Sequence, residues 1–198
     1  MPRPDVSGER RSQILDAAMA VFSRRGFHAA RMDDIAEEAG LSKGALYLYY
    51  KSKDAIIGAI LRFFFSSAMK SLRTLQDSDG VVRDQIVSYA RVVAREAERL
   101  SRVSPLAYEF YAVAGRNRAV RLQLREYFTQ FKDVLAILIQ RGIEQGEFRS
   151  VNPQETAYTI CALFEGLNLL LVVDPQTENW HHQVVASTEL VLDGIAAR

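Results

Sequence analysis

Three lysines and three tyrosines that could grip phosphate crowd one short stretch, Gly40 to Lys53, GLSKGALYLYYKSK. Lys43, Lys51 and Lys53 supply ammonium groups, and Tyr47, Tyr49 and Tyr50 supply phenols. An ammonium neutralises a phosphate oxygen and a phenol donates to one, so such groups fix register on a nucleic acid without reading its sequence. On a helix capped by Ser42, Leu46 and Tyr50 are four apart and face inward. Lys43, Gly44, Tyr47 and Leu48 then share the opposite side. Gly44 has no side chain, which lets a backbone come close to a phosphate or a base edge. A solvated amphipathic helix has the same composition, and Asp33, Asp34, Glu37 and Glu38 make the segment just upstream acidic.

Other chemistries find less support. The histidines are His28, His181 and His182, and the single cysteine, Cys161, has none of them nearby in sequence. Glu178 to His181 makes one Glu-x-x-His, whereas a di-iron bundle needs two such motifs and two further glutamates. There is no phosphate loop, nucleophile elbow or zinc spacing. The expectation is no enzyme, no metal and no cofactor. With 198 residues, 48% of them apolar, the chain can bury one good core or two small ones. A net charge of +1 means that any basic patch is local. One cysteine excludes an internal disulfide and fits a reducing compartment. The N-terminus lacks the apolar core of a signal peptide. The longest apolar runs fall short of the roughly 20 residues that cross a bilayer. A cytoplasmic protein with no membrane partner is expected.

Apolar residues recur at three- and four-residue intervals without strand-like alternation, which predicts an all-α chain of about nine helices. The first, Glu9 to Arg25, carries Ile14, Ala18 and Phe22 and ends at Gly26, with Phe27 folding back onto the core. The second runs from Met32 to Ala39 and closes at Gly40. The third runs from Ser42 to Tyr50. A fourth begins near Ser52 and carries Ile56, Ile60, Phe63 and Phe64 on one side; if it reaches Thr74 it is roughly 35 Å long. Val81 to Leu100, a helix capped by Ser104 with Pro105 first, Asn117 to Glu144, Pro153 to Val173 and Asn179 to Ala197 follow. Pro153 to Val173 is apolar almost all round, so a partner subunit is the expected cover. Helices two and three, joined by a glycine turn, have helix-turn-helix geometry, in which the second helix enters the DNA major groove.

Ile14 to Ile56 resembles the TetR family of bacterial transcriptional repressors. Phe22, Gly26, Phe27, Ile35, Ala36, Ala39, Gly40, Ser42, Gly44, Leu46, Tyr47, Tyr49, Ser52 and Lys53 fall on the family pattern in register. Arg31 replaces a hydroxyl residue, and Tyr50 a phenylalanine. The resemblance implies that Ser42, Lys43, Gly44, Tyr47, Tyr49 and Lys53 touch mostly the DNA backbone. Arg31 and Met32 join them at the start of the second helix, and Ala45 and Leu48 lie nearest the bases. It divides the chain into a flexible tail (1–8), a DNA-binding head (9–53) and a ligand-binding and dimerisation domain (54–198).

By the same resemblance, a small hydrophobic or amphipathic ligand sits among helices four to seven. Candidates are Phe64, Phe65, Tyr89, Tyr108, Glu109, Tyr111 and Phe128. Glu109 could meet a cationic ligand or pair with Arg95 or Arg121. A homodimer forms through the last two helices, with Phe164, Leu167, Leu171, Val184 and Leu192 at the interface. The expected function is a repressor released by ligand from a palindromic operator on double-stranded DNA. A ligand-independent dimeric regulator and a helical-bundle enzyme are the alternatives.

Overall fold

The computed structural model describes residues 6–76, 78–99 and 104–197, without the side chains of 6, 64, 67, 68, 99 and 104–107. Among these residues the chain is all-α, with nine helices: α1 (Val6–Ala29), α2 (Met32–Glu38), α3 (Lys43–Tyr49), α4 (Lys53–Gln76), α5 (Val82–Arg99), α6 (Ser104–Arg116), α7 (Arg118–Glu144), α8 (Pro153–Val173) and α9 (Trp180–Asp193). The side chain of Ser104, the expected cap, and residues 1–5 of the expected tail lie outside what is described. Val6 to Gly8 are not tail but the opening of α1.

The chain packs as two compact units, Met1–Phe64 with Val103–Leu124, and Phe65–Arg102 with Arg125–Arg198. In the first, α1 lies against α2 and α6, and α2 meets α3. Ile14, Phe22, Phe27, Ile35, Leu46, Ile56, Ile60 and Phe110 are all buried. Phe27 packs edge-on against Phe22, with ring centroids 4.7 Å apart, and tilts against Phe110 at 5.0 Å. The inner stripe of α4 is Ile56, Ile57, Ile60 and Leu61; Phe63, expected on that side, is 58% exposed. These four centre between Ile57 and Ile60, and at 3.6 residues per turn Phe63 lies about 90° from that centre, at the margin of the stripe.

Helix α1 is broken where expected. Gly26 sits at φ 71, ψ 162, and a last turn continues to Ala29. A left-handed φ of this kind costs glycine little and other residues more.

In the second unit α9 lies against α5 and α8. The core gathers Tyr89, Phe131, Leu135, Phe164, Leu171, Trp180, Val184 and Leu192. The Trp180 indole donates to the carbonyl of Ala94 at 3.0 Å, so its polar edge is satisfied inside. Arg141 bridges the end of α4 to α5, donating to the carbonyls of Gln76 and Ser78 and to Gln85. The Glu147 carboxylate accepts from the Val82 and Arg83 backbones at 2.8 and 3.0 Å, satisfying orphan donors at the start of α5.

Helix α9 stops at Asp193, short of the expected Ala197. The backbone leaves the helix to pair with the α7–α8 connection instead. Arg149 N donates to Ile195 O, Ala197 N donates to Glu147 O, and Phe148 bridges Ala196. The ring of Phe148 lies against the bare Cα of Gly142 in α7.

Candidate nucleic-acid interface

Helices α2 and α3 are seven residues each, too short to hold themselves in water. Packing and caps hold them. Ile35 and Ala36 anchor α2 and Leu46 anchors α3. Each such aliphatic burial contributes about 1.5–3 kcal/mol for Ile or Leu. The turn between them closes as a double hydrogen bond: Leu41 N to Ala36 O at 2.8 Å and Gly40 N to Glu37 O at 3.0 Å, with Gly40 at φ 61. The Ser42 hydroxyl accepts from Ala45 N at 3.2 Å and caps α3. At the other end Lys51 donates to the carbonyl of Tyr47 at 2.8 Å, and the Ser52 hydroxyl accepts from Ala55 N to start α4.

This scaffold turns α3 as the sequence predicts. Leu46 and Tyr50 are buried, Tyr47 and Tyr49 are half-buried, and Lys43, Gly44 and Leu48 are exposed. A Cβ on Gly44 would meet nothing within 4 Å, so the surface there is open to an approaching backbone. Leu48 is 77% exposed. Ala45 is half-buried beside the cap, as is Met32 in the first turn of α2. Arg31 is exposed, and its backbone N–H donates to Asp34 at 2.8 Å.

Two cationic residues have partners that sequence reading did not foresee. Lys53 donates to the carbonyls of His28 and Ala30, at 3.0 and 2.8 Å, closing the end of α1. An ammonium carries three donors, so this leaves one N–H for a phosphate. Lys43 pairs with Asp33, and that carboxylate raises the lysine pKa above its ordinary value. Sequence reading also missed Arg11, whose guanidinium lies 5.8 Å from the ring centre of Tyr49 and 5.7 Å from that of Tyr50. This is cation–π range, and it brings the basic start of α1 beside α3. The only signal in the sequence is the Arg10–Arg11 pair, which carries no hint of its distant neighbours.

The expected ligand residues fall on both units. Tyr108, Glu109 and Tyr111 belong to the first; Phe65, Tyr89 and Phe128 belong to the second. The side chain of Phe64 lies outside the described residues. Phe65 stacks on Tyr127 with ring centroids 3.7 Å apart, and Phe128 lies 5.1 Å from Tyr127. Tyr89 is an interior residue, 2% exposed and set between Phe131 and Phe164. Burial pushes its phenol pKa well above the ordinary value.

Among the described residues Glu109 meets a backbone N–H rather than Arg121. Its carboxylate accepts from Phe27 N at 2.6 Å, while Arg121 donates to the carbonyl of Ala114. The Gly26 break leaves the Phe27 N–H without a helical acceptor, and the glutamate supplies one.

The expected dimer residues lie mostly inward. Phe164, Leu171, Val184 and Leu192 are buried within their own chain, and Leu167 packs partly against the same core. The outward stripe of α8 is instead Tyr158, Ala162, Gly166, Leu169, Leu170 and Val173, with Leu190 exposed on α9. Because α8 is apolar all round, periodicity could not tell its core side from its open one. At 21 residues it is also long and apolar enough to cross a bilayer, although five of its residues are buried in this fold.

Residues 14–60 match the family of bacterial regulatory proteins, tetR family, and residues 82–196 match the C-terminal family of BetI-type transcriptional repressors. The uncharacterised HTH-type transcriptional regulator YfiR of Bacillus subtilis is 30% identical over 154 residues, 75% of this chain and 72% of the relative. The HTH-type transcriptional repressor KstR2 of Rhodococcus jostii is 29% identical over 161 residues, 79% of this chain and 78% of the relative. A complex of SmeT, from Stenotrophomonas maltophilia, with triclosan superposes with a TM-score of 0.85 at 19% identity, covering 95% and 92% of the two chains. With a helix-turn-helix that presents an open, lysine-flanked α3 and family matches across both halves, the chain belongs to the TetR family of DNA-binding transcriptional regulators.

Proposed function

We propose that this protein is a cytoplasmic homodimeric repressor that leaves a palindromic operator when a small hydrophobic or amphipathic molecule binds. The observation that carries the reading is the outward face of α3. There a large apolar side chain, Leu48, stands in water on a helix that otherwise presents phosphate donors. An exposed leucine at such a tip suits contact with a thymine methyl. Lys43, Tyr47, Tyr49, Lys53 and Arg31 act on the backbone around it, with the Ser42 cap, Gly44, Ala45 and Met32 at close approach. On this reading residues 9–53 bind DNA, and 54–198 bind ligand and dimerise.

The aromatic group of Phe65, Tyr127 and Phe128 is the strongest feature for an apolar ligand, and the triclosan-bound relative in fold supports one of that class. The outward stripe of α8 supplies the dimer face, and two-fold symmetry would place two α3 helices on a palindrome.

The test is a footprint on the DNA flanking the protein's own gene, with and without a cell metabolite extract. A two-fold symmetric protected site that opens on adding extract is expected. Protection that survives every fraction would favour the ligand-independent regulator. Leu48→Ala should change preference at particular base pairs; an equal loss on every sequence would exclude base contact at this position.

A further inference from the structure

The two adjacent acids that open α2 have different partners. Asp34 faces inward, 18% exposed, taking Arg31 N–H at 2.8 Å and the Arg25 guanidinium at 2.7 Å. Asp33 is 60% exposed and reaches across to α3, where Lys43 Nζ lies 2.8 Å from one carboxylate oxygen and 3.0 Å from the other. Asp33 adds nothing to the core, and its partner is the first residue of α3, on the face open to DNA. A carboxylate there repels phosphate and occupies an ammonium that phosphate would use.

We propose that Asp33 is an internal competitor for the DNA backbone: it holds Lys43 until a phosphodiester displaces it, and so lowers the affinity of the head for all DNA. This rests on the reading of α3 as the DNA-facing helix. Phosphates repeat identically along any duplex, so the offset is the same for every sequence. The Lys43–Asp33 pair carries no net charge, so bringing it to DNA displaces fewer condensed cations than a lone ammonium would, and the salt dependence is softened. A head restrained in this way occupies bulk DNA less, and a ligand needs a smaller preference between states to empty the operator.

The experiment is a salt titration of binding to two duplexes of equal length: a site selected by the wild-type protein from a random pool, and a random sequence. Asp33→Asn keeps the size of the side chain, and thermal melting checks the fold. The substitution should tighten both duplexes by the same factor, up to about fivefold per head. It should also steepen the salt slope by about one per head. In a Lys43→Ala background the gain should shrink. Unchanged affinity, a gain confined to one duplex, or a gain of undiminished size without Lys43 would each overturn the proposal. If Lys43→Ala alone weakens neither duplex, the placement of α3 on DNA falls first, and the proposal with it.

Discussion

The carboxylate of Glu109 accepts from the backbone of Phe27 because Gly26 has taken that N–H out of the helix. A buried donor left without a partner costs about 1–3 kcal/mol, more than the hydrogen bond itself contributes. Glu109→Ala should therefore lower stability in urea by about that amount and weaken DNA binding. Glu109→Gln, which keeps an acceptor oxygen, should stay close to wild type. Equal stability of both variants with wild type would show that the contact is idle. None of this is legible in the sequence: the partners are 82 positions apart, and a backbone N–H has no residue type. Leu46, Tyr50 and Leu48 were legible, since four-residue spacing decides their side of α3. The partners of Lys43 and Lys53 were not, because a lysine reads alike whether it meets phosphate, carboxylate or carbonyl.

At the scale of elements, the interior of α5 and α8 holds two acids that resist ionising. Burial and the nearby Glu165 raise the Cys161 thiol to about 11, and Tyr89 is raised above its ordinary value by burial. A folded pKa above the unfolded one means that stability is full below the unfolded value, 9.0 for the thiol, and is lost as pH climbs through the folded one. The urea midpoint should be flat to about pH 9 and then fall, and Cys161→Ala should retain part of the loss. A midpoint that is level across this range would contradict the burial of both groups. The start of α3 was readable from the Ser42 cap, and Asn117 and Asn152 likewise accept from backbone donors at the starts of α7 and α8. The end of α9 was not, because a long-range backbone pairing competes there with the helix.

For the molecule as a whole, the proposed dimer turns on the open stripe of α8. Leu170 is 61% exposed and Val173 75%, and Leu190 of α9 is 75% exposed. Leu170→Arg would place a charge in the proposed interface, where its desolvation is unfavourable. Sedimentation should show a monomer or a dissociation constant raised at least about tenfold, with operator affinity falling alongside. An unshifted dimer would move the interface elsewhere. The all-α fold class followed from periodicity, but an all-apolar helix hides its orientation, and only the packed core reveals which side is left over.

The ring of Phe148 over Gly142 sets a mechanical tolerance for this half of the chain. A Cβ at residue 142 would come within 2.4 Å of two ring carbons of Phe148, so the ring would have to shift, and with it the strand-like pairing to Ala196 that docks the end of α9. The clearance of a single hydrogen atom thus keys the last helix into its seat.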